Sequence, residues 1–374
     1  MSFLKKLFSK SLPEDIQNAI EQALGKLSIE GIDDAVFDEK ILSDISFKKG
    51  ALSLTLTLPF PAKSLWPVLE QQLSNALYEH EQIKDVSIQW QTKIDARMTH
   101  NTTQPLKGVK NIIAVASGKG GVGKSTSSVN LALALQQEGA QVGILDADIY
   151  GPSIPTMLGA HEKPQTLDGK SMEPIRAHGL QLMSIGFLID PNEPMIWRGP
   201  IVTQTLTQLL NETNWQDLDY LIIDLPPGTG DVQLTMSQQI PVTGSIIVTT
   251  PQEISLIDAR KGLKMFEKVN IPILGIIENM STHICSQCGH EEAIFGEHGG
   301  ETLAKEGGNK LLGKLPLNSG IRQGMDEGNP VMVSDPTGDV ANRYRQIAHT
   351  VSSDMGLQKR SYASAFPNIV VENK

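Results

Sequence analysis

The amino-acid sequence predicts an α/β protein, with a doubly wound, mostly parallel sheet preceded by a small α+β domain. Three observations carry that prediction. From Val109 onward, short apolar runs alternate with helical patterns: NIIAVAS, QVGILDAD, LDYLIIDLPPG, GSIIVTTP, IPILGIIENM and KLLGKLPL. Runs of this length, each closed by Asp, Ser, Pro or Asn, are the pattern of strands buried on both faces of a parallel sheet. A glycine-rich loop lies between the first run and a helical pattern, where a nucleotide-binding sheet keeps its phosphate site. Finally, the polar, proline-containing MTHNTTQPLKG, residues 98–108, divides this region from an earlier segment of different periodicity.

That earlier segment reads as its own α+β unit. An acidic helix is expected around Pro13 to Leu27, a strand with period-two alternation in ALSLTLTLPF, a helix from Ser64 to Glu81 and a strand in KDVSIQWQTKI. It holds no cysteine and one histidine, His80. The expected division is therefore a small domain over 1–97, a linker over 98–108, the sheet domain over 109–357 and a loose tail over 358–374. GDVANRYRQIAHTVSSDM supplies the closing helix of the sheet domain.

Composition narrows the classes of function. The 374 residues suffice for two or three domains. With 32 Lys and Arg against 42 Asp and Glu the net charge is −10, which repels nucleic acid unless a basic patch is concentrated locally. Lys5-Lys6 is too small a cluster to supply one, so no nucleic-acid partner is expected. The opening MSFLKKLFSKSL lacks the apolar run and cleavage site of a secretory signal, and no stretch approaches the ~18 apolar residues that span a bilayer. A cytoplasmic protein with no membrane partner is expected, and its two cysteines are expected to be thiols or metal ligands.

The strongest signal is SGKGGVGKSTSSVNLALAL. Gly118 to Ser125 fits G-x-x-x-x-G-K-[ST], with the strand NIIAVA before it and a helical pattern after it. Gly120, Gly121 and Gly123 let backbone N–H groups around Val122 converge on phosphate oxygens, and the helix starting near Lys124 directs its positive end at the same anion. Lys124 is expected to reach the β- and γ-phosphates, Ser125 to bind Mg2+ through its hydroxyl, and Thr126 to complete the loop. Lys119 is a second cation in the loop; it is either a solvated surface lysine or a group that crosses to a partner's nucleotide. Asp146 and Asp148 in LDADIYGPS, and Asp224 in LDYLIIDLPPGTGD, end buried runs where a carboxylate can orient water or hold a metal's hydration shell. Any one of them, like Asp231, is equally suited to capping a helix. Gly228 lies where a loop can sense the γ-phosphate.

Both cysteines fall in HICSQCGHEEAIFG, as Cys285-x-x-Cys288. A thioredoxin-like pair belongs at a helix start early in a βαβ unit, not after the late strands of this sheet. Structural zinc is a competing reading, with His283, His290 or His298 as added ligands, and inert buried thiols suit the polar surround poorly. An iron-sulfur cluster takes four thiolates, and one chain owns two. Two copies about a twofold axis supply four, and Lys119 acting across an interface asks for the same twofold.

GKGGVGKST resembles the deviant P-loop of the MinD, ParA and nitrogenase-reductase superfamily, which implies that Lys119 acts in trans on a homodimer partner's nucleotide. Together with GILDADIYGPSIPTMLG, MIWRGP, YLIIDLPPGTGD, IPVTGSIIVTTPQ, GIIENMS and CSQCGHEEAIFG, it resembles the Mrp/ApbC family of iron-sulfur cluster carrier ATPases over residues 108 to about 350. The resemblance implies ATP binding and hydrolysis, Asp148 in switch I, Asp224 as Walker B acid, and an Asn279 amide that reads the adenine edge. It further implies a labile cluster, expected to be 4Fe-4S, bridged by Cys285 and Cys288 of two subunits and passed between assembly scaffolds and apo iron-sulfur proteins. The first segment resembles the MIP18-like domain fused to bacterial members, without its cysteine, which leaves partner docking as its expected role. A MinD- or ParA-like positioning ATPase with zinc at the cysteines is the alternative. The tail YASAFPNIVVENK, interrupted by Pro367, lacks the basic amphipathic helix that MinD-type membrane attachment needs.

Overall fold

A computed structural model describes residues 12–99, 104–189 and 199–361, apart from Ser286. The expectations placed on the opening MSFLKKLFSKSL, the middle of the linker, MIWRGP and the tail beyond 361 lie wholly or mainly outside the described residues. The chain divides into two compact units: one runs to Asp95 and includes Gln137–Gly139 and His349–Gln358, and the other comprises the remainder.

In the smaller unit the chain runs α1 (Glu14–Leu24), β1 (Leu42–Lys48), β2 (Ala51–Leu58), α2 (Trp66–Tyr78) and β3 (Asp85–Thr92). Its sheet has the order β1-β2-β3, with β1–β2 antiparallel and β2–β3 parallel. The period-two pattern of β2 works as read, since Leu52, Leu54, Leu56 and Leu58 all point into the core. Helix α1 answers with Ile16, Ile20, Ala23 and Leu24, and α2 with Leu69, Leu73 and Leu77, each set spaced to lie on one helical face. Strand β1 has no counterpart in the sequence reading; its alternation is blurred by Asp44 and by a bulge between Leu42 and Asp44.

In the larger unit the order continues β4 (Val109–Ala116), α3 (Lys124–Gln137), β5 (Val142–Asp146), α4 (Ile154–Met157), β6 (Ile175–Ala177), β7 (Leu180–Ser184), α5 (Gly199–Glu212), β8 (Leu218–Asp224) and α6 (Asp231–Gln239). It ends β9 (Gly244–Thr249), α7 (Glu253–Lys268), β10 (Ile273–Glu278), β11 (His283–Ile284), β12 (Glu291–Glu292), α8 (Gly299–Glu306), β13 (Leu311–Lys314), α9 (Ser319–Asp326), α10 (Val331–Ser334) and α11 (Asp339–Leu357). Eight strands form one sheet in the order β13-β10-β9-β4-β8-β5-β7-β6. All neighbouring pairs are parallel except β6–β7 at one edge.

The central strands β5, β8 and β9 are buried along their whole length, as helices on both faces require. From β4 the chain moves to β5, later fills the gap with β8, and then returns to β4's other side as β9. That reversal opens a crevice at the carboxyl edge beside β4, the place where such sheets bind ligands. Ile222, fully buried in β8, pairs with Ile113 on one side and Ile144 on the other. Ile222→Ala is expected to cost about 2–5 kcal/mol in urea denaturation, whereas Ile294→Ala, at a half-exposed site, is expected to stay within about 0.5 kcal/mol.

Candidate functional site: a phosphate loop and a thiol hairpin on one sheet edge

The loop after β4 crosses the crevice in a conformation that few side chains permit. Gly121 and Gly123 have φ of 79° and 82°. A Cβ on Gly118 would sit 2.3 Å from the backbone of Asp258 in α7, and one on Gly123 would sit 2.1 Å from Nδ2 of Asn279. Here glycine serves close backbone approach as much as phosphate access. With Ser117, Lys124, Ser125, Thr126 and Asp148 the loop encloses a pocket of about 180 Å3, room for phosphate groups rather than a whole nucleotide. A larger groove of about 980 Å3 lies between α5 and α6, lined by Thr203, Thr207, Gln208, Gln239 and their neighbours. It lacks a set of converging charges, so the smaller pocket is the chemical site.

Charge in that pocket is organised around Asp224, the fully buried last residue of β8. Its Oδ2 accepts from Nζ of Lys124 and from Oγ of Ser125, both at 2.6 Å, and its Oδ1 accepts from Oγ of Ser128 at 2.6 Å. Lys124 Nζ also lies 3.9 Å from Asp148. A buried carboxylate with three donors is stabilised against the loss of its hydration. Ser128 was missed in the sequence; it lies one turn beyond Lys124 on the same face of α3, which is the signal that would have found it.

Asp146 does the structural work that its sequence position left open. It accepts from the backbone N–H groups of Asp148 and Ile154, both at 3.2 Å, and from Ser184 Oγ at 3.1 Å. It thereby ties the loop 147–153 to the ends of β5 and β7. Ser184 was also missed, because β7 is a short run with no motif beside it. Burial raises the Asp146 carboxyl to about 7, the Asp224 charge pushes the same way, and Lys124 opposes both. Burial likewise raises Asp148, against the pull of Lys124.

The remaining site residues lie on the same edge. Lys119 is half-buried, and among the described residues no carboxylate pairs with its side chain; Ser117 Oγ donates to its carbonyl at 2.9 Å. Gly228 has φ of 105° and donates its N–H to Ser117 O at 2.9 Å, which places the loop after β8 against the phosphate loop. Asn279 donates Nδ2–H to the carbonyl of Val122 at 2.8 Å, so in this structure its amide braces the phosphate loop. Oxygen donors from Ser125, Asp148 and Asp224 around one phosphate pocket suit a hard divalent cation such as Mg2+.

Cys285 and Cys288 occupy the tip of a small hairpin. Strands β11 and β12 pair antiparallel, His283 with Glu292 and Ile284 with Glu291. Cys285 N–H donates to His290 O and Gly289 N–H to Cys285 O, both at 2.9 Å, with Gly289 at φ of 71°. The backbone N–H groups of Gln287 and then Cys288 hold the Cys285 thiol below its usual range, favouring the thiolate that binds metals. Both thiols are free and at least partly accessible. Among the described residues no three of His, Cys, Asp and Glu gather to hold a metal; of the histidines that a zinc site needs, His298 bonds Glu301 at 3.1 Å.

A family model described as the NUBPL iron-transfer P-loop NTPase matches residues 108–352, spanning every group above. The chain belongs to that family. A second model, described as iron-sulfur cluster assembly protein, matches residues 13–90 in the smaller unit. The iron-sulfur cluster carrier protein of Haemophilus influenzae is 50% identical, covering 94% of this chain and 95% of its own length. That of Escherichia coli K12 is 51% identical over 85% and 87%. The mouse iron-sulfur cluster transfer protein NUBPL is 48% identical over 66% of this chain and 78% of its own. Among solved structures, the Archaeoglobus fulgidus nucleotide-binding protein in complex with ADP is 37% identical, with a TM-score of 0.55, over 62% of this chain and 90% of that one. The doubly wound P-loop reading thus holds, and the chain is an NTPase by family. No helix of the described residues is long and apolar enough to cross a membrane.

The Asp146 carboxyl keeps its proton in the folded chain up to about 7, whereas it loses it near 3.8 when unfolded. Between those values the folded state binds more protons, so this group's contribution to stability falls as pH rises, by about 4 kcal/mol at most. Asp146→Asn is therefore expected to gain stability relative to wild type as pH rises from about 4 to about 7 in thermal melts, and to gain no more above that. A difference between the two proteins that does not change with pH contradicts the assignment.

Proposed function

We propose that this chain is an ATP-dependent iron-sulfur cluster carrier that passes a labile cluster to apo iron-sulfur proteins. The observation that carries the reading is the coexistence, on one sheet edge of a P-loop NTPase, of a phosphate loop and a pair of free, at least partly accessible thiols. Relatives covered nearly end to end bear the carrier name, which supports that reading over structural zinc.

In this reading ATP and Mg2+ are gathered by residues 118–126. Lys124 exchanges Asp224 for the β- and γ-phosphate oxygens; Ser125 Oγ and Asp224 would hold Mg2+, which would supply positive charge against the phosphates. Asp148, at the mouth of the same pocket, orients the attacking water. Lys119, whose side chain pairs with no carboxylate among the described residues, reaches the nucleotide of a second subunit, and Asn279 contacts the base when nucleotide is bound.

The cargo is a cluster, of the 4Fe-4S type in this reading, held by Cys285 and Cys288 of two copies across a homodimer twofold, which together supply the four thiolates that a cluster takes. Transfer is ligand exchange, in which thiolates of a recipient replace these four sulfurs. Recipients are apo iron-sulfur proteins, and donors are assembly scaffolds. We assign the small domain, 1–97, to partner docking, with 98–108 as linker, 109–357 as the ATPase and 358–374 as tail. Net charge and composition favour a cytoplasmic protein that engages neither nucleic acid nor membrane.

Anaerobic reconstitution with iron and sulfide is expected to give the broad visible absorption of a cluster, with dimer mass and iron content to match. Cys285→Ala/Cys288→Ala is expected to lose both absorption and iron. Absorption retained by the double variant, or stoichiometric zinc in protein purified without air, would sink the bridging-cluster reading. Separately, Lys124→Ala is expected to lower ATP turnover by about 10²–10³-fold; unchanged turnover contradicts the phosphate-loop assignment.

A further inference from the structure

Strand β10 ends in Glu278 and is followed at once by Asn279, two adjacent buried polar side chains that reach different parts of the site. Asn279 bonds the Val122 carbonyl of the phosphate loop. Glu278, fully buried beside it, accepts the Gly300 N–H through Oε2 at 2.5 Å. Gly300 lies at the start of α8, where the chain returns from the thiol hairpin, and a Cβ there would meet Glu278 Cβ at 2.9 Å.

The hairpin has two feet: the entering one is tied to the segment after β13, and the returning one packs on a helix that also touches the phosphate loop. At the entering foot Ser281 N–H donates to Leu315 O at 2.9 Å, and Thr282 O accepts from Leu317 N–H at 2.7 Å. At the returning foot a Cβ on Gly299 would sit 2.6 Å from Pro251 O and 2.8 Å from Leu256 in α7. The same helix presses Gly118 at Asp258. Contacts this close transmit a displacement rather than absorb it, because packed backbone has no free volume to yield.

We propose that Glu278 is a positioning residue for the thiol pair: with Asn279 it forms one clamp through which occupation of the phosphate loop sets the geometry and exposure of Cys285 and Cys288. The proposal rests on the function reading above and deepens it. Anion binding redirects the loop's N–H groups and shifts the Val122 carbonyl. Asn279 follows or releases it, and the neighbouring Glu278 carries the shift to Gly300 and the returning foot. A carboxylate that only capped α8 would add stability and nothing more, so the test needs a readout that capping does not move.

That readout is the alkylation rate of Cys285 and Cys288 in reduced, metal-free, full-length protein, with and without Mg2+ and a non-hydrolysable ATP analogue. Wild type is expected to change its rate by about fivefold or more on binding, the lower end of ordinary coupling between sites. In Glu278→Leu the ratio is expected to collapse towards one while binding of a fluorescent ATP analogue persists. Glu278→Gln, which keeps an acceptor for the Gly300 amide, is expected to restore it. A Leu variant that melts earlier yet keeps the full ratio overturns the proposal, as does wild type that binds nucleotide with no change in thiol rate. Should the Leu variant fail to fold, hydrogen exchange on wild type decides: nucleotide must alter protection at Gly300 and across Cys285–Gly289, and unaltered protection overturns it. Failure of wild type to bind nucleotide at all sinks the function reading together with this one.

Discussion

The larger unit depends on the burial of one carboxylate. Asp224 ends the strand that β4 and β5 flank, and its two oxygens hold Lys124, Ser125 and Ser128. A charge without solvent is stable only when its partners are in place, so β8, the phosphate loop and the first turn of α3 must assemble together. That requirement draws catalytic-type groups from two distant segments to within hydrogen-bonding distance. It also leaves them in exchangeable contacts, since Lys124 and Ser125 spend on Asp224 the donors that a phosphate and a metal would use.

Much of this site was legible because its parts are local. The loop from Gly118 to Ser125 announces itself by glycine spacing between strand and helix, and Asp146, Asp148 and Asp224 by closing apolar runs. Glu278 closes such a run too, but its partner, the Gly300 amide, lies 22 residues on and leaves no local signal. Ser128 was legible in principle, one turn beyond Lys124, whereas Ser184 and the bracing role of Asn279 were not, since each is defined by a partner roughly 40 or 160 residues away in the chain. The same physics explains the missed strands. Ile175–Ala177 and Leu180–Ser184 are too short to show a period, and Leu42–Lys48 carries a bulge that shifts its alternation.

Two kinds of chemistry share the carboxyl edge, and they are separated by how the chain is held. The phosphate pocket is built from buried charge between central strands, where a low dielectric strengthens every contact. The thiols stand at the tip of a hairpin on that edge, at least partly accessible, and turn N–H groups rather than burial favour the thiolate form of Cys285. One site suits tight grip on a small anion; the other suits handing a soft metal group to thiols from outside.

The hairpin's ladder is only two residue pairs long, between His283–Ile284 and Glu291–Glu292. Isolated ribbons of this size are barely stable, and such elements open locally at a small fraction of the global free energy. The tip can therefore come apart and reform while the eight-stranded sheet beneath it stays intact. It is a replaceable fitting: its loop could be lengthened, or its thiols exchanged for other side chains, with the nucleotide machinery left in place.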